Sequence, residues 1–253
     1  MTNSITTKKG TKVMRPADPG YSGPNYFGNG LDLHLPSRAE RKIARFSKGH
    51  STGRIVTGDP EGNLSGQLML VESKLEFKWC LVLLARPETE DLREQAGFDW
   101  YDTNGETHTH YFDFLLTERN GRRIACAVRP ADRTHGSFGA TMPRIANQAR
   151  KSGFAHDVRL LTDDDLDPVA LFNAGQTHGM RQSQPKADIA AEKVVSEMIG
   201  IAVIEDLVRR IGMGADGYRA VVRLIRRHRL RPLHHVRIDY ETAVYAAAGY
   251  KAR

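Results

Sequence analysis

Two carboxylates of the sequence stand in apolar surroundings. Glu76 lies in an apolar segment that follows Glu72, and Asp113 has aromatic neighbours on both sides in the run Tyr-Phe-Asp-Phe. A buried carboxylate is costly unless it is paired or binds a metal. If Glu76 and Asp113 converge, they could hold Mg²⁺, which polarises a phosphate and lowers the pKa of an attacking water. A salt bridge from Asp113 to an arginine is the simpler interpretation.

A second set of residues suited to binding is a run of arginines near the C-terminal end. Seven arginines and no acidic residue lie between positions 219 and 237. These candidates for DNA contact are Arg219, Arg223, Arg226, Arg227, Arg229, Arg231 and Arg237. Guanidinium groups bind phosphates and the guanine edge in the major groove, so the run favours double-stranded DNA as the partner. A solvated helix face is the alternative.

The pair His108 and His110 could hint at a metal, because alternate residues of a strand share a face. Asp113 is an odd number of residues from both, so in a regular strand it points to the other face. The pair therefore predicts a half-exposed polar edge, and only a bulge would bring all three residues together. Cys126 is predicted to be a small core residue, and Trp79 and Trp100 are predicted to be core aromatics.

The middle of the chain has the pattern of an α/β fold. A buried helix is predicted over Glu72–Ala85, because Pro87 ends an apolar run. The turn signals Asn-Gly at 104–105 and 120–121 separate three predicted strands joined by hairpins, at 97–102, 107–117 and 122–129. A helix over 138–153 and a strand over 158–161 follow. The order helix, three-strand meander, helix, strand predicts a meander that is extended by a crossover strand.

The C-terminal part is predicted to be a separate helical module. Residues 175–186 have the composition of a linker, and apolar residues at helical spacing predict one long helix over 188–211. A glycine-rich break precedes a second helix over 218–229, which gives the pattern of a helix-turn-helix. Stepping by three or four residues places Arg219, Arg223 and Arg226 or Arg227 on one exposed edge of that helix. The segment around His234, His235 and Arg237 would resemble the wing of a winged helix.

Composition and charge restrict the class of protein. The chain of 253 residues is 40% hydrophobic and carries a net charge of +7, as an ordinary globular protein with a basic bias would. No apolar run reaches the roughly 20 residues of a membrane helix, and the N-terminus lacks the apolar core of a secretory signal. With only two cysteines, Cys80 and Cys126, a disulfide framework is excluded and a reducing, cytoplasmic compartment is the expectation.

The sequence divides into three predicted regions. Residues 1–66 form a basic N-terminal arm with loops, in which residues 37–40 could open a short helix. Residues 67–175 form the α/β core. Residues 187–253 form the arginine-rich module.

Short motifs of the core also occur in a known family. Ser73-Lys74-Leu75-Glu76 has the form Ser-x-x-Glu at a helix start, Tyr111-Phe112-Asp113-Phe114 places an aspartate among aromatics, and Asn120-Gly121-Arg122 forms a hairpin turn. Together with Arg93-Glu94-Gln95 and Ala127-Val128-Arg129-Pro130, these motifs stand in the order and spacing of TnsA-like transposon endonucleases. Residues 72–130 therefore resemble the catalytic domain of that family, which belongs to the restriction-endonuclease-like superfamily.

The resemblance implies a site and also a defect in it. It implies that Glu76 and Asp113 are metal ligands for Mg²⁺ and that Arg129 stands where the family has its catalytic lysine. Ala127 replaces the Glu or Gln that would add an oxygen, and an arginine pKa is too high for the group to serve as a base. Glu72, one turn from Glu76, could compensate in part. The resemblance also implies a winged-helix-like C-terminal region.

These observations predict a protein that binds duplex DNA through a nuclease-fold core with an impaired catalytic centre, and that acts as a regulator or an assembly factor. The first alternative is an active Mg²⁺-dependent DNA endonuclease, for example as a subunit of a heteromeric transposase. The second is a scaffold whose arginines bind acidic protein partners.

Overall fold

The computed structural model describes residues 34–43, 52–58 and 66–247. The predicted α/β class is confirmed, because helices and three separate sheets alternate along the chain. The α-helices are α1 Lys74–Ala85, α2 Gly136–Lys151, α3 Pro168–Gly179, α4 Pro185–Ser196, α5 Ile204–Ile211 and α6 Gly214–Arg226. The strands are β1 Gly53–Thr57, β2 Gln67–Val71, β3 Thr89–Tyr101, β4 Thr107–Glu118, β5 Arg123–Val128, β6 Asp157–Leu161, β7 Ile201–Val203, β8 Leu230–Pro232 and β9 Ala243–Ala246.

The central sheet has the strand order β3-β4-β5-β6. Antiparallel pairs join β3 to β4 and β4 to β5, whereas β6 lies parallel to β5 after the crossover through α2. Both predicted hairpin turns form, with Gly105 and Gly121 at φ 81° and 82° in the left-handed region that glycine adopts without strain. The predicted meander with a crossover strand is therefore observed.

The first strand of the meander is longer than predicted. It begins at Thr89 instead of Gly97, so the polar run Glu-Asp-Leu-Arg-Glu-Gln belongs to the sheet. A strand is usually recognised in a sequence by alternating apolar and polar residues. This run lacks that pattern, because two of its buried positions hold the polar residues Glu94 and Gln95. These two residues contribute polar groups to the site described below.

Two apolar cores lie on opposite faces of the central sheet. On one face, called here the α1 side, Trp79 and Cys80 pack with Phe114 and Cys126. On the other face, the α2 side, residues of α2 pack with Phe112, Ala125 and Ala127. Trp79 and Cys126 are core residues as predicted, and Trp100 is half-buried at the edge of the α2-side core.

The predicted linker at 175–186 and the predicted long helix at 188–211 are both wrong. Residues up to Gly179 belong to α3, which packs against α1 and α6, so the linker shortens to 180–184. The long helix is interrupted after Ser196, where the chain turns through Gly200 at φ 74° and forms the short strand β7 before α5. The apolar residues of α4 and α5 face the same core. Their helical spacing therefore continues across the interruption and resembles that of one long helix.

Helices α4, α5 and α6 and a small sheet form the C-terminal unit. Its strands are arranged in the order β7-β9-β8, with β9 antiparallel to both neighbours. Its apolar core includes Val195, Leu207, Val221, Leu224 and Val244, each at most 1% exposed. None of the helices in the described ranges has the length and apolar character needed to cross a membrane.

Residues 34–43, called here the strap, run along the outer strand β3. Arg38 forms an ion pair with Asp91 and donates to the carbonyl of Leu92, and the Glu40 N–H donates to the carbonyl of Gln95. The helix predicted at 37–40 is wrong, since these residues take no helical conformation and bond to β3. Within the rest of the predicted arm of residues 1–66, the described part contains β1, and residues 1–33, 44–51 and 59–65 lie outside the described residues.

Candidate functional site

The N-terminus of α1 fixes the position of Glu76. The Ser73 hydroxyl caps the helix by accepting from the Glu76 N–H at 3.0 Å. The Glu76 carboxylate in turn accepts from the Ser73 hydroxyl and from the Glu72 N–H, each at 2.8 Å. This reciprocal bonding resembles a capping box, with the N–H of Glu72 in place of the N–H of the N-cap residue Ser73, and it fits the spacing Ser-x-x-Glu.

The environment of Glu76 disfavours its charged form. Only 7% of the residue is exposed. Burial raises the pKa of Glu76 above its ordinary value, although the bonds from Glu72 N–H and Ser73 lower it in part.

Asp113 lies on β4, close enough to Glu76 for the two carboxylates to interact electrostatically. Its carboxylate accepts from the Val128 N–H at 2.6 Å and from the Gln95 side-chain amide at 3.4 Å. Burial, and next the negative charge of Glu76, raise the pKa of Asp113 to about 7. Two buried carboxylates are therefore brought together from a helix and a strand.

The sheet has an irregularity next to Asp113, where the alternation of faces along β4 is interrupted. Phe112 packs in the α2-side core and Phe114 in the α1-side core, although residues two apart in a regular strand share a face. On the neighbouring strand, Gln95 has φ 48°, a left-handed conformation that is uncommon for a residue with a side chain. The strained residue Gln95 and Asp113 are in contact, so the irregularity is located at the candidate site.

Arg41 of the strap supplies a cation that interacts with these acids. Its guanidinium donates to the Gln95 side-chain carbonyl at 2.7 Å, forms an ion pair with Glu72 and lies 5.7 Å from the centre of the Tyr111 ring. Arg41 also lowers the pKa values of Glu76 and Asp113. Sequence reasoning missed Arg41, because it lies 31 residues before Glu72 in a segment predicted to be an arm.

Glu94 adds a third buried acid on the same side of the sheet. It is 0% exposed and accepts from the Ser37 hydroxyl of the strap, while its second oxygen has no partner within the described part of the chain. Burial raises the pKa of the Cys80 thiol, and the charges of Glu94 and Glu76 raise it further. We refer to Glu76, Glu94 and Asp113 together as the acidic centre.

Arg129 does not join the acidic centre, so its predicted place beside the metal ligands is wrong. Its guanidinium donates to the carbonyl of Arg133 at 2.6 Å and stacks 4.3 Å from the centre of the Phe138 ring. Residues alternate along β5, and Ala127 packs on the α2 side while Cys126 and Val128 pack on the α1 side with Asp113. The side chains of β5 that face the acidic centre are therefore the Cys126 thiol and the Val128 isopropyl group. Neither can replace the lysine amine that the family resemblance implies.

The donor set of the acidic centre is suited to a hard divalent cation. The carboxylates of Glu76 and Asp113 are oxygen ligands of the kind that Mg²⁺ prefers. Gln95 turns its amide nitrogen toward Asp113 and its oxygen toward Arg41. The raised pKa of Asp113 also reflects negative charge that a cation would neutralise. A bound Mg²⁺ would supply Lewis-acid activation of a phosphate. Glu76 and Asp113 would hold it.

His108 and His110 lie on the α2 side, away from Asp113, as the alternation of a strand predicts. His110 packs edge-on against Phe112 at 4.7 Å between ring centres, and burial lowers its pKa to about 4. His108 pairs with Asp102 at 3.3 Å in an exposed hairpin. The ligand atoms of Asp102, Glu106 and His108 come within 4.8 Å of one another, but the Asp102 carboxylate already accepts two backbone N–H groups of its own turn.

The arginine run divides into buried and exposed members. Arg223 is 2% exposed and forms an ion pair with Asp188 of α4, so the prediction that it lies on an exposed edge is wrong. Arg226 and Arg227 are half-buried; Arg226 donates to the carbonyl of Gly58 at 3.3 Å, and Arg227 lies 3.8 Å from Glu192. The exposed members are Arg219, Arg229, Arg231 and Arg237.

Two comparisons with known proteins bear on these observations. Neither the protein-family models nor the curated proteins match the chain. The resemblance to TnsA-like endonucleases therefore stays a prediction, carried by the motifs and the site geometry.

Acids of α4 and of α6 itself reduce the positive charge of the arginine run. Asp188 and Glu192 of α4 pair with Arg223 and Arg227, and Asp216 pairs with Arg219 at 2.9 Å. Arg237 stacks 5.0 Å from the centre of the Phe172 ring of α3. The cationic surface available to a partner is therefore smaller than the sequence indicates, and it is spread over α6, β8 and the loop between β8 and β9.

Proposed function

We propose that this protein binds duplex DNA through its C-terminal unit and carries a restriction-endonuclease-like core whose catalytic centre is impaired. The observation that carries the proposal is the topology of the C-terminal unit. The order helix, strand, helix, helix, strand, strand, with β9 between β7 and β8, agrees with that of a winged helix. In that arrangement α5 and α6 form the helix-turn-helix and the loop 233–242 is the wing.

The exposed cations of the C-terminal unit support DNA as its ligand. Arg219 lies near the start of α6, Arg229 and Arg231 lie at β8, and Arg237 lies in the wing. A surface with several guanidinium groups attracts the phosphate backbone and gives affinity that decreases with salt. Contact through Arg219 would place the N-terminal part of α6 in the groove, which is the part that a recognition helix uses.

The core supports the second half of the proposal. Its order of helix, antiparallel meander, helix and parallel strand agrees with the architecture that the resemblance implies, and Glu76 and Asp113 lie together. No lysine accompanies them on the facing part of β5, and Arg41 cannot serve as a base. Removing one preorganised electrostatic interaction alone lowers a rate by about 10² to 10³. A core with this centre would act by occupying DNA or recruiting a partner, as a regulator or an assembly factor does.

The test of DNA binding compares two triple variants of equal charge. The protein with Arg219→Ala, Arg229→Ala and Arg231→Ala should bind a fluorescein-labelled duplex more weakly, and the slope of log K against log salt should decrease by up to about 0.9 for each phosphate that the variant no longer binds. The control carries Arg144→Ala, Arg150→Ala and Lys151→Ala on α2 and should bind as the wild type does. Equal binding by both variants would contradict the proposed surface, and no binding by the wild type at low salt would favour the protein scaffold.

The second candidate function is a Mg²⁺-dependent DNA endonuclease, for example within a heteromeric transposase. The observation that favours it is the proximity of the buried carboxylates, which contributes to raising the pKa of Asp113 to about 7. Supercoiled plasmid incubated with the pure protein and Mg²⁺ or Mn²⁺ gives the test. Nicking that is abolished in Asp113→Asn and kept in Asp99→Asn, an exposed residue of the same sheet, would replace the first proposal with this one.

A further inference from the structure

A cavity of about 390 Å³ separates the core from the C-terminal unit. Its walls come from the end of α1, the middle of α3, the end of α6 and strand β8. Volumes of this size are typical of sites for small molecules. The cavity lies away from the acidic centre and from the exposed start of α6, and of the arginines proposed to contact DNA it shares only Arg231.

Most of the cavity wall is apolar. Val82, Ala85, Ala174, Ile225 and Leu230 contribute hydrocarbon surface from both units. The polar side chains Asn173 and Thr177 are engaged within the protein, since Asn173 bonds to the backbone of Val236 and Ile238 and Thr177 bonds to the carbonyl of Asn173. The apolar part would therefore accept the hydrocarbon body of a ligand.

One end of the cavity is cationic. Arg86, Arg226, Arg231 and the imidazole of His228 line it, and Arg86, Arg226 and His228 also line an adjoining polar crevice of about 510 Å³, in which Arg38 and Arg119 pair with Asp91 and Glu90. Arg86 already pairs with Glu88 and Glu118. Arg231 is exposed, and the described part of the chain gives it no ion pair. The guanidinium groups of Arg86 from the core and of Arg226 and Arg231 from the C-terminal unit therefore line the same cavity as the apolar wall.

His228 is held in an unusual conformation at this junction. It follows the end of α6 with φ 57°, a position where glycine is the common residue. Burial lowers the pKa of its imidazole, and the charges of Arg119, Arg231 and Arg226 lower it further against the opposing effect of Glu88. The surroundings of this side chain are therefore electropositive, and an uncommon backbone conformation keeps it there.

We propose that the cavity binds a small amphipathic anion, with its apolar body between α1, α3 and α6 and its carboxylate or phosphate group at Arg231 and His228. The continuity of an apolar wall with a cationic end selects this class over neutral apolar compounds and over inorganic anions. Because the two units both contribute to the wall, the bound anion would also fix the core against the C-terminal unit. Such binding requires no DNA.

The test uses decanoate as the probe and 1-decanol as its neutral counterpart, with the full chain studied by calorimetry and thermal denaturation. Decanoate should bind and raise Tm, and decanol should bind about tenfold more weakly because it lacks the charge. Arg231→Ala should weaken decanoate binding by about tenfold and leave decanol binding unchanged. Arg237→Ala, an exposed arginine of the same unit outside the cavity wall, should leave both affinities unchanged.

Filling the cavity gives a second test that does not depend on charge. Ala170→Phe enlarges a half-exposed residue of the wall and should abolish binding of both probes, while circular dichroism and Tm without ligand report on folding. Ala174→Leu serves the same purpose if Ala170→Phe fails to fold. Absence of decanoate binding to the wild type, or decanoate binding that survives a folded cavity-filling variant, would overturn the proposal.

Discussion

Arg223 of α6 and Asp188 of α4 form a buried ion pair in the core of the C-terminal unit, with 2.7 Å between Arg223 Nε and Asp188 Oδ1. The side chains are 2% and 7% exposed. Burial alone would raise the pKa of Asp188, but the bonds from the Ser183 hydroxyl and from Arg223 hold it below its ordinary value. Arg223, which is predicted from the sequence to contact DNA, therefore joins α6 to α4 inside the C-terminal unit.

Arg223→Ala should destabilise the C-terminal unit without acting through a DNA contact. Removal of one partner of a buried ion pair leaves an uncompensated charge and costs about 3 to 5 kcal/mol. Chemical denaturation should show this decrease. The double variant Arg223→Met with Asp188→Leu should recover most of the stability and bind duplex DNA as the wild type does. Weak DNA binding by a stable double variant would show instead that Arg223 contacts DNA.

The same pair should make the protein sensitive to acid. The pKa of Asp188 is lower in the folded chain than its ordinary value of 3.8, so the stabilisation is present above that value and is lost as the pH falls through the folded pKa. Unfolding measured between pH 5 and pH 2, as rough limits around that pKa, should show a decrease in stability that is smaller in the double variant.

Asp113→Asn should stabilise the protein at alkaline pH. The pKa of Asp113 is raised from 3.8 to about 7, so its contribution to stability is present at low pH and is lost as the pH rises through about 7. An asparagine keeps an oxygen for the Val128 N–H and removes the buried charge. At a pH above 7 the variant should be more stable by about 2 to 4 kcal/mol, since each pKa unit corresponds to about 1.4 kcal/mol.

An exposed aspartate of the same sheet provides the matched control. Asp99→Asn changes a solvent-exposed residue of β3 and should leave the dependence of unfolding free energy on pH as in the wild type. If Asp113→Asn gave the same pH dependence as Asp99→Asn, the carboxyl of Asp113 would be ionised throughout, and its coupling to Glu76 would be weaker than the geometry indicates.

Arg41→Ala should raise the pKa of Asp113 further. Arg41 is the cation that lowers this pKa, so its removal should move the midpoint of Asp113 titration upward by up to about one pH unit. The carboxyl carbon resonance of Asp113 in NMR would measure it. Arg38→Ala removes a strap arginine that pairs with Asp91, and the midpoint should then stay unchanged. Equal shifts in both variants would indicate that the strap acts by covering the site and that the charge of Arg41 has no specific effect.

Much of the core could be predicted from local sequence signals. Hairpins at Gly105 and Gly121 and the apolar run of α1 give the order of elements, because turn chemistry and periodicity act over a few residues. The Ser-x-x-Glu spacing also places Glu76 at a helix start, where its capping bonds form locally. The meeting of Glu76 with Asp113 could be anticipated only with the added information of a family resemblance.

The sequence by itself determined the order of helix, meander, helix and strand in the core and marked the two carboxylates, since propensity, turn residues and polarity are properties of neighbouring positions. Only the tertiary structure decided which partners these residues meet. Packing buried Arg223 against Asp188, turned Arg129 to the opposite side of the sheet from Asp113, and brought Arg41 of the strap beside the acids. Each of these outcomes depends on contacts between residues that are distant in the chain, and the spacing of residue types carries no information about such contacts.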